Sequence, residues 1–404
     1  MPLPPLTPEQ LVKPRHFELR ISLIFGALFI ALGVHLPYFP LWLEAKGFDA
    51  EQIGIILSAP MFLRVLTTPF ITALADRAKD RANVFMVLAA AAFLLSLGYF
   101  LPATYATVLA VSLALTIFWT PHSPLADSLA LSGVRRFGSS YTRMRIWGSI
   151  LFLCGNLLGG VVLAATSANA IPVMISLGLC ATFVVAFFTP RPGKPRKASP
   201  LSSTDLQGSA PKLLTRYFLY FVAGVGVIIA SHGFLYGFVS IYWKSIGVSE
   251  TTVGLLWAWS VLAEIGMFMI FTRVFGSVSV TVVLGIAGAG AIVRWIAFPL
   301  IEPLGLGVPG FFVVQTLHAL STALILIGLQ KHIGETVPEE RTGAAQGIAY
   351  FANGISMASV TLLSGPLYDW FGINGFYVMA VIAFGGLVLI ALAAQSTPER
   401  GLGR

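Results

Sequence analysis

Residues 255–271 read LLWAWSVLAEIGMFMIF, an apolar run with a single charge, Glu264, near its middle. The nearest charges on either side are Glu250 and Arg273. With its flanks the run is long enough to cross a bilayer, which takes about 20 apolar residues. A carboxylate at the centre of such a span costs about 2.5–3.5 kcal/mol on insertion scales, so it is expected to face a water-filled cavity or a partner. Two hundred residues earlier the same local frame holds Arg64.

Composition sets the class around that run. The 404 residues are 56% hydrophobic and 10% charged, with a mean hydropathy of +0.85. Soluble domains carry about 25% charged residues, so the chain reads as an all-α membrane protein. The formal charge of +8 does not point to nucleic acid. Its lysines and arginines fall in short gaps between apolar runs, not along one soluble face. Cys154 and Cys180 lie inside apolar runs and are expected to be buried thiols.

The pattern predicts twelve transmembrane helices at 17–43, 51–74, 82–101, 104–131, 143–166, 169–189, 214–243, 250–274, 279–300, 307–330, 342–368 and 373–395. Alternate connections are basic: the N-terminal tail, 76–81, 135–145, 191–216, 331–341 and the C-terminal tail. The opposite set holds only Lys46 and Lys244. The positive-inside rule then puts both termini in the cytoplasm. The stretch 189–212, rich in Pro, Ser and Lys, reads as a flexible linker. The expected organisation is an N-terminal six-helix bundle over 1–189, a linker over 190–213 and a C-terminal six-helix bundle over 214–404.

The halves repeat. Trp42, Gly47 and Gly54 in PLWLEAKGFDAEQIGIIL align with Tyr242, Gly247 and Gly254 in SIYWKSIGVSETTVGLLW. Parallel repeats of this kind predict two pseudo-symmetric bundles with a solute site between them near mid-membrane.

Charged and titratable residues inside spans are the functional candidates. They are Arg64, Asp127, Arg145, Glu264, Arg294 and His318. Asp127 and Arg145 lie about equally far from a turn expected near Arg136 and Phe137, so they are expected to sit at similar depth and pair. A static ion pair and a ligand-binding pair both fit, since Arg presents parallel donors to a carboxylate. Glu264 and Arg294 lie on consecutive helices with a short link, and contact is expected. His318 adds a group that titrates near neutral pH. His35, His122 and His232 read as packing residues, His35 and His232 near the outer ends of their helices. Tyr38, Trp42, Tyr236, Tyr242 and Trp243 read as an interfacial belt. In ALADRAKDR, residues 73–81, Asp76, Arg77 and Arg81 read either as a gating loop or as a solvated charge run.

Together these residues resemble the major facilitator superfamily. ALADRAKDR is similar to a degenerate form of its loop motif, with Thr72 in place of a glycine, and GPLYDWFG at 365–372 is similar to a stretch that ends helix 11. Within the superfamily HLPYFPLWL, SPLADSLA, YTRMRIWGS, YGFVSIYWKSIG, LLWAWSVLAEIGMF, VRW and VVQTLHAL resemble, in order, the phenylpropionate permease family, relatives of lactose permease. The resemblance implies alternating access and proton-coupled uptake of a small organic solute across a bacterial inner membrane. That solute would be an aromatic carboxylate of the phenylpropionate kind. A sugar or nucleoside symporter and a proton-coupled efflux antiporter are the alternatives; helix 5 lacks the proline of the drug-antiporter signature, which favours import. By resemblance Asp127, Arg145, Arg294 and His318 bind substrate, Glu264, Arg294 and His318 couple protons, and Arg64 is a cavity charge. Ser321 stands where the relatives carry an essential carboxylate, and Gln315 where they carry a lysine. No cofactor or metal is expected beyond the coupling proton; the lipid bilayer and the solute are the partners, nucleic acid is not, and a monomer is expected. No span shows paired catalytic carboxylates, a metal-spaced His cluster or a nucleophile motif, so an enzyme is not expected.

Overall fold

The computed structural model describes residues 12–78, 80–191, 215–337 and 342–396. The side chains of Asp76, Arg77 and Arg135 lie outside the described set, and so does the expected linker beyond Arg191. All the regular structure among the described residues is helical.

The helices are α1 Phe17–Ala45, α2 Ala50–Arg77, α3 Arg81–Ser96, α4 Tyr105–Trp119, α5 His122–Phe137, α6 Tyr141–Ala165, α7 Ala170–Ala186 and α8 Arg216–Ala230. They continue with α9 Gly233–Ser245, α10 Glu250–Phe275, α11 Val280–Ala297, α12 Gly307–Thr316, α13 Ile325–Thr336, α14 Thr342–Phe371 and α15 Gly375–Gln395. Ten stretches among the described residues are long and apolar enough to cross a membrane. Several starts are capped as expected for helices whose first N–H groups need acceptors. Asp80 accepts from Ala82 N, Ser140 from Arg143 N, Thr215 from Phe218 N and Ser249 from Thr252 N.

Three expected spans are interrupted. One breaks at Thr120–Pro121, between α4 and α5, and another at Ser231–His232, between α8 and α9. The span from Gly307 to Ile333 carries a π-helical turn at Ala319–Leu324. Such turns widen the helix by one residue and often mark functional sites.

The described residues form two compact units, one of 12–42 with 66–191 and the other of 43–65, 215–337 and 342–396. In the first unit α1 and α6 approach through glycines: a Cβ on Gly155 would lie 2.6 Å from the Ile30 carbonyl oxygen, and one on Gly33 would strike that of Phe152. Small residues permit this contact between helices that have no hydrophobic drive to associate in lipid. Phe17, Ile21, Phe25, Phe85, Leu125, Leu129 and Met144 fill the core beside it. In the second unit α8 and α15 meet in the same way at Gly224 and Gly386. Large apolar side chains such as Phe70, Met269 and Val381 lie exposed.

The repeat is visible in the backbone. Gly47 and Gly247 both take left-handed conformations, with φ of 85° and 83°. Each donates to the carbonyl three residues back, Glu44 at 2.8 Å and Lys244 at 3.0 Å. The next residue reaches five back, Phe48 to Leu43 at 3.2 Å and Val248 to Trp243 at 2.9 Å.

The expected aromatic belt is corrected. Tyr38, Trp42 and Trp243 are fully buried and Tyr242 nearly so. The Tyr38 hydroxyl donates to the Asn156 carbonyl at 2.5 Å, and Trp243 packs against Phe298 and Phe311. His232 is corrected too: it lies at the break in mid-span, buried, not near an outer end.

Candidate functional site

The first unit holds Asp127 on α5 and Arg145 on α6. No ion pair joins them directly among the described ones. α5 continues to Phe137 and ends at Gly138, whose φ of 66° makes the left-handed cap, and Ser140 caps α6. The turn therefore centres on Ser139, and Asp127 stands twice as far from it as Arg145. The equal-depth expectation fails for that reason. Tyr141 fills the gap: its hydroxyl donates to Asp127 Oδ1 at 2.8 Å, and the Arg145 guanidinium comes to the same hydroxyl. Tyr141 and Arg145 are four residues apart on α6, so helical spacing puts both on one face.

Arg145 also lies over two rings. Its guanidinium carbon is 4.1 Å from the Phe29 centroid and 5.3 Å from that of Phe25. Gly148 makes the room, since a Cβ there would sit 2.7 Å from Arg145 Nη1 and 3.1 Å from Phe29 Cδ2. A cation over aromatic faces is held by the ring quadrupole. The result is a half-buried cation flanked by apolar rings and a hydroxyl, with a carboxylate one bond further on.

The second unit gathers Glu264, Arg294 and His318. The expected Glu264–Arg294 contact becomes a chain through the histidine. His318 Nε2 lies 3.3 Å from Glu264 Oε2, and Arg294 Nη1 lies 2.9 Å from His318 Nδ1. A guanidinium only donates, so Nδ1 must offer a lone pair. In this arrangement His318 is neutral, with its proton on Nε2 and directed to Glu264. The charges of Glu264 and Arg294 thus balance across an uncharged ring.

Arg294 is fully buried. Nη1 also donates to Ser321 Oγ at 3.2 Å and Nη2 to Gln315 Oε1 at 2.5 Å. The Gln315 amide is oriented by donating to the Leu256 carbonyl at 3.2 Å. Arg294 Nε is buried without a hydrogen-bond partner, and the guanidinium stacks 4.8 Å from the Trp295 ring. Ser321 and Gln315, the two departures from the relatives' pattern, therefore serve as uncharged acceptors for one buried cation. With Arg294 enclosed, Arg145 is the more accessible of the two cations expected to bind substrate.

Arg64, on α2, is half-buried and its Nε is buried without a hydrogen-bond partner. Arg81 begins α3 beside its cap Asp80 and within electrostatic reach of Arg136. The side chains of Asp76 and Arg77, the rest of the expected gating loop, lie outside the described set. Among the described residues no group of three or more His, Cys, Asp or Glu could hold a metal ion.

Tyr141, Gly148, Phe29, Thr322 and His232 belong to these clusters and were not singled out by charge. Tyr141 and Gly148 carry a retrievable signal, being one turn before and about one turn after Arg145. Thr322 and His232 depend on a π-helical turn and a helix break that periodicity does not show, and Phe29 on the packing of α1 against α6.

Comparison with known proteins agrees with this architecture. The chain is 28% identical over 369 residues to a probable 3-phenylpropionic acid transporter of Escherichia coli K12, covering 91% of this chain and 96% of that protein. It is 26% identical over 388 residues to the maltose permease of Geobacillus stearothermophilus, covering 94% and 93%. Among solved structures, the nucleoside transporter NupG superposes with a TM-score of 0.77 at 15% identity, covering 94% of this chain and 99% of that one. A D-xylose-proton symporter gives 0.70 at 14%, covering 95% and 98%. These structures share the fold. The matched family model covers residues 17–379, and the chain belongs to the MFS_1 like family, as a major facilitator transporter.

Proposed function

We propose that this transporter takes up a small aromatic carboxylate together with protons, by alternating access between two six-helix bundles in a bacterial inner membrane. Twelve spans follow when the long stretch Ala345–Gln395, broken into α14 and α15, counts as two and the 17-residue α7 joins the ten. Both termini are then cytoplasmic, in keeping with the basic connections.

The observation that carries the reading is the Glu264–His318–Arg294 chain inside apolar helices. Protonation of His318 at Nδ1 removes the lone pair that Arg294 uses. Arg294 must then release the ring, so proton occupancy and the position of a buried cation change together. That link between a proton and a conformation is what coupling requires. Arg145 supplies the charge for a carboxylate and Phe25 and Phe29 the flanking apolar surface, a chemistry suited to an aromatic acid. The E. coli relative named for 3-phenylpropionic acid supports that choice.

A sugar or nucleoside is the second reading, supported by the maltose permease and by a putative nucleoside transporter of E. coli at 24% identity. Asp127 and Tyr141 would then bond hydroxyls. The test is uptake into proteoliposomes under an imposed inward-directed proton gradient, with 3-phenylpropionate, maltose and uridine in parallel. Accumulation of the aromatic acid alone, with alkalinisation of the outside medium, is expected. If none of the solutes moves and the medium does not alkalinise, the symporter reading is wrong.

A further inference from the structure

The proton-coupled reading uses Glu264, His318 and Arg294 but leaves a second imidazole beside them without a role. His232 is buried at the break between α8 and α9. Its ring centroid lies 5.8 Å from that of His318 and 4.9 Å from that of Trp295. The break is pinned, because Trp295 Nε1 donates to Ser231 Oγ at 2.8 Å.

The hydrogen bonds fix where the protons of His232 lie. Nδ1 is 3.1 Å from the Ile229 carbonyl, which can only accept, so Nδ1 carries hydrogen. In the neutral ring Nε2 is then a lone pair. Two hydroxyls reach it, Ser321 Oγ at 3.0 Å and Thr322 Oγ1 at 3.2 Å. Thr322 Oγ1 is also 3.2 Å from Nδ1 of His318, which is likewise a lone pair. One hydroxyl proton thus stands between two acceptors and cannot serve both. The Ser321 hydroxyl, which accepts from Arg294, donates to His232 Nε2 when Thr322 donates to His318. One added proton on either ring lets that ring donate to Thr322 and Thr322 donate to the other. Ser321 and Thr322 both reach His232 from the π-helical turn.

We propose that His232 is a second proton-binding site, joined to His318 by the Thr322 hydroxyl, so that the two imidazoles share one transported proton. This rests on the proton-coupled reading of the same site. A proton on Nδ1 of His318 passes to Thr322 Oγ1 as that oxygen's own proton passes to Nε2 of His232. One N–H bond breaks and one forms, one O–H bond breaks and one forms, and the positive charge moves from ring to ring with no electron transfer. Ser321, which accepts from Arg294 and reaches His232, ties the second ring to the same cation.

The charged and titratable groups facing His232 are Arg294 from α11 and His318, the residue that precedes the π-helical turn. Tyr236 lies along α9, and Glu264 of α10 lies beyond Tyr236 and His318. From α14 and α15 the neighbouring groups are Thr361, beside Gly233, and Phe376, behind Trp295.

Exchange of the imidazole C2 hydrogen for deuterium, followed by mass spectrometry across pH on the full-length protein in detergent, reads each histidine without substrate. Interacting sites titrate as a pair. In His318→Gln the His232 curve is expected to move by more than about one pH unit while those of His35 and His122 stay in place. In proteoliposomes Thr322→Val is expected to lower the initial rate of gradient-driven 3-phenylpropionate uptake on the order of 10²-fold, as loss of a positioned proton-transfer group does, with Thr322→Ser retaining it. A His232 curve unmoved by His318→Gln overturns the relay, and so does a wild-type uptake rate in Thr322→Val. If Thr322→Val fails to fold, the exchange measurement on His318→Gln decides alone. If the two curves are coupled but no proton gradient drives any solute in the wild type, the shared site stands and the symport reading falls.

Discussion

Replacing Tyr141 with phenylalanine removes one oxygen, the one that separates Asp127 from Arg145. In the wild type that hydroxyl donates to Asp127 Oδ1 at 2.8 Å and meets the Arg145 guanidinium. Without it the carboxylate is free to meet the cation directly and to occupy it in place of a substrate anion. Two unit charges about 4 Å apart attract by about 4 kcal/mol at an effective dielectric constant near 20. The lost hydrogen bond to a charged acceptor was worth about 1.5–3 kcal/mol. The difference, about 1–2.5 kcal/mol, is what an incoming carboxylate must overcome, roughly a fivefold to sixtyfold loss of affinity. Binding of 3-phenylpropionate and of its neutral amide to the detergent-solubilised protein measures this directly. The acid is expected to weaken and the amide to change little, and Tyr141→Phe combined with Asp127→Asn should recover the acid. Unchanged affinity for the acid in Tyr141→Phe, or no recovery in the double variant, would refute the role given to Arg145.

In Gly148→Ala the new methyl meets the flexible end of Arg145 and presses on the Phe29 ring, so the cation lifts off Phe29. Loss of about 0.5–1 kcal/mol of cation–π attraction is expected to weaken 3-phenylpropionate binding a few-fold, read as a binding isotherm in detergent. Glu264→Gln is expected to abolish gradient-driven accumulation and to spare counterflow exchange, measured in the same proteoliposomes; unchanged accumulation would leave Glu264 a structural role. Gly247→Ala places a Cβ on a residue with φ of 83°, which costs about 1–2 kcal/mol for an L-residue, and is expected to lower thermal stability in detergent without changing substrate affinity.

Much of the fold is legible in the sequence because lipid imposes length. Apolar runs interrupted by basic gaps leave few ways to read the chain, and the glycines at 47 and 247 carry the repeat into matching backbone turns. Charges inside apolar runs are similarly conspicuous, so Glu264 and Arg294 stand out by their cost, whereas the role of His318 comes from the resemblance. What the pattern could not supply was register. The turn after α5 lies later than expected because Gly138, not Arg136, reverses the chain, and that shift exchanges a direct ion pair for one mediated by Tyr141. In sequence His232 reads as packing, because its contacts depend on a break at Ser231 and a π-helical turn ninety residues away. Neither leaves a periodic trace. Aromatic residues near span ends are ambiguous in sequence because a tyrosine suits a wet interface as well as a buried bond to a carbonyl.

The balance of Glu264 against Arg294 across a neutral His318 has an electrical consequence. A carboxylate entering with one proton adds no net charge to the loaded carrier, so membrane voltage does no work on the transport step. A sugar entering with one proton adds a full positive charge, on which 100 mV does about 2.3 kcal/mol of work, roughly fiftyfold in accumulation. Valinomycin-clamped potentials therefore separate the two substrate classes through current alone: an electroneutral carrier ignores the potassium diffusion potential, and an electrogenic one follows it.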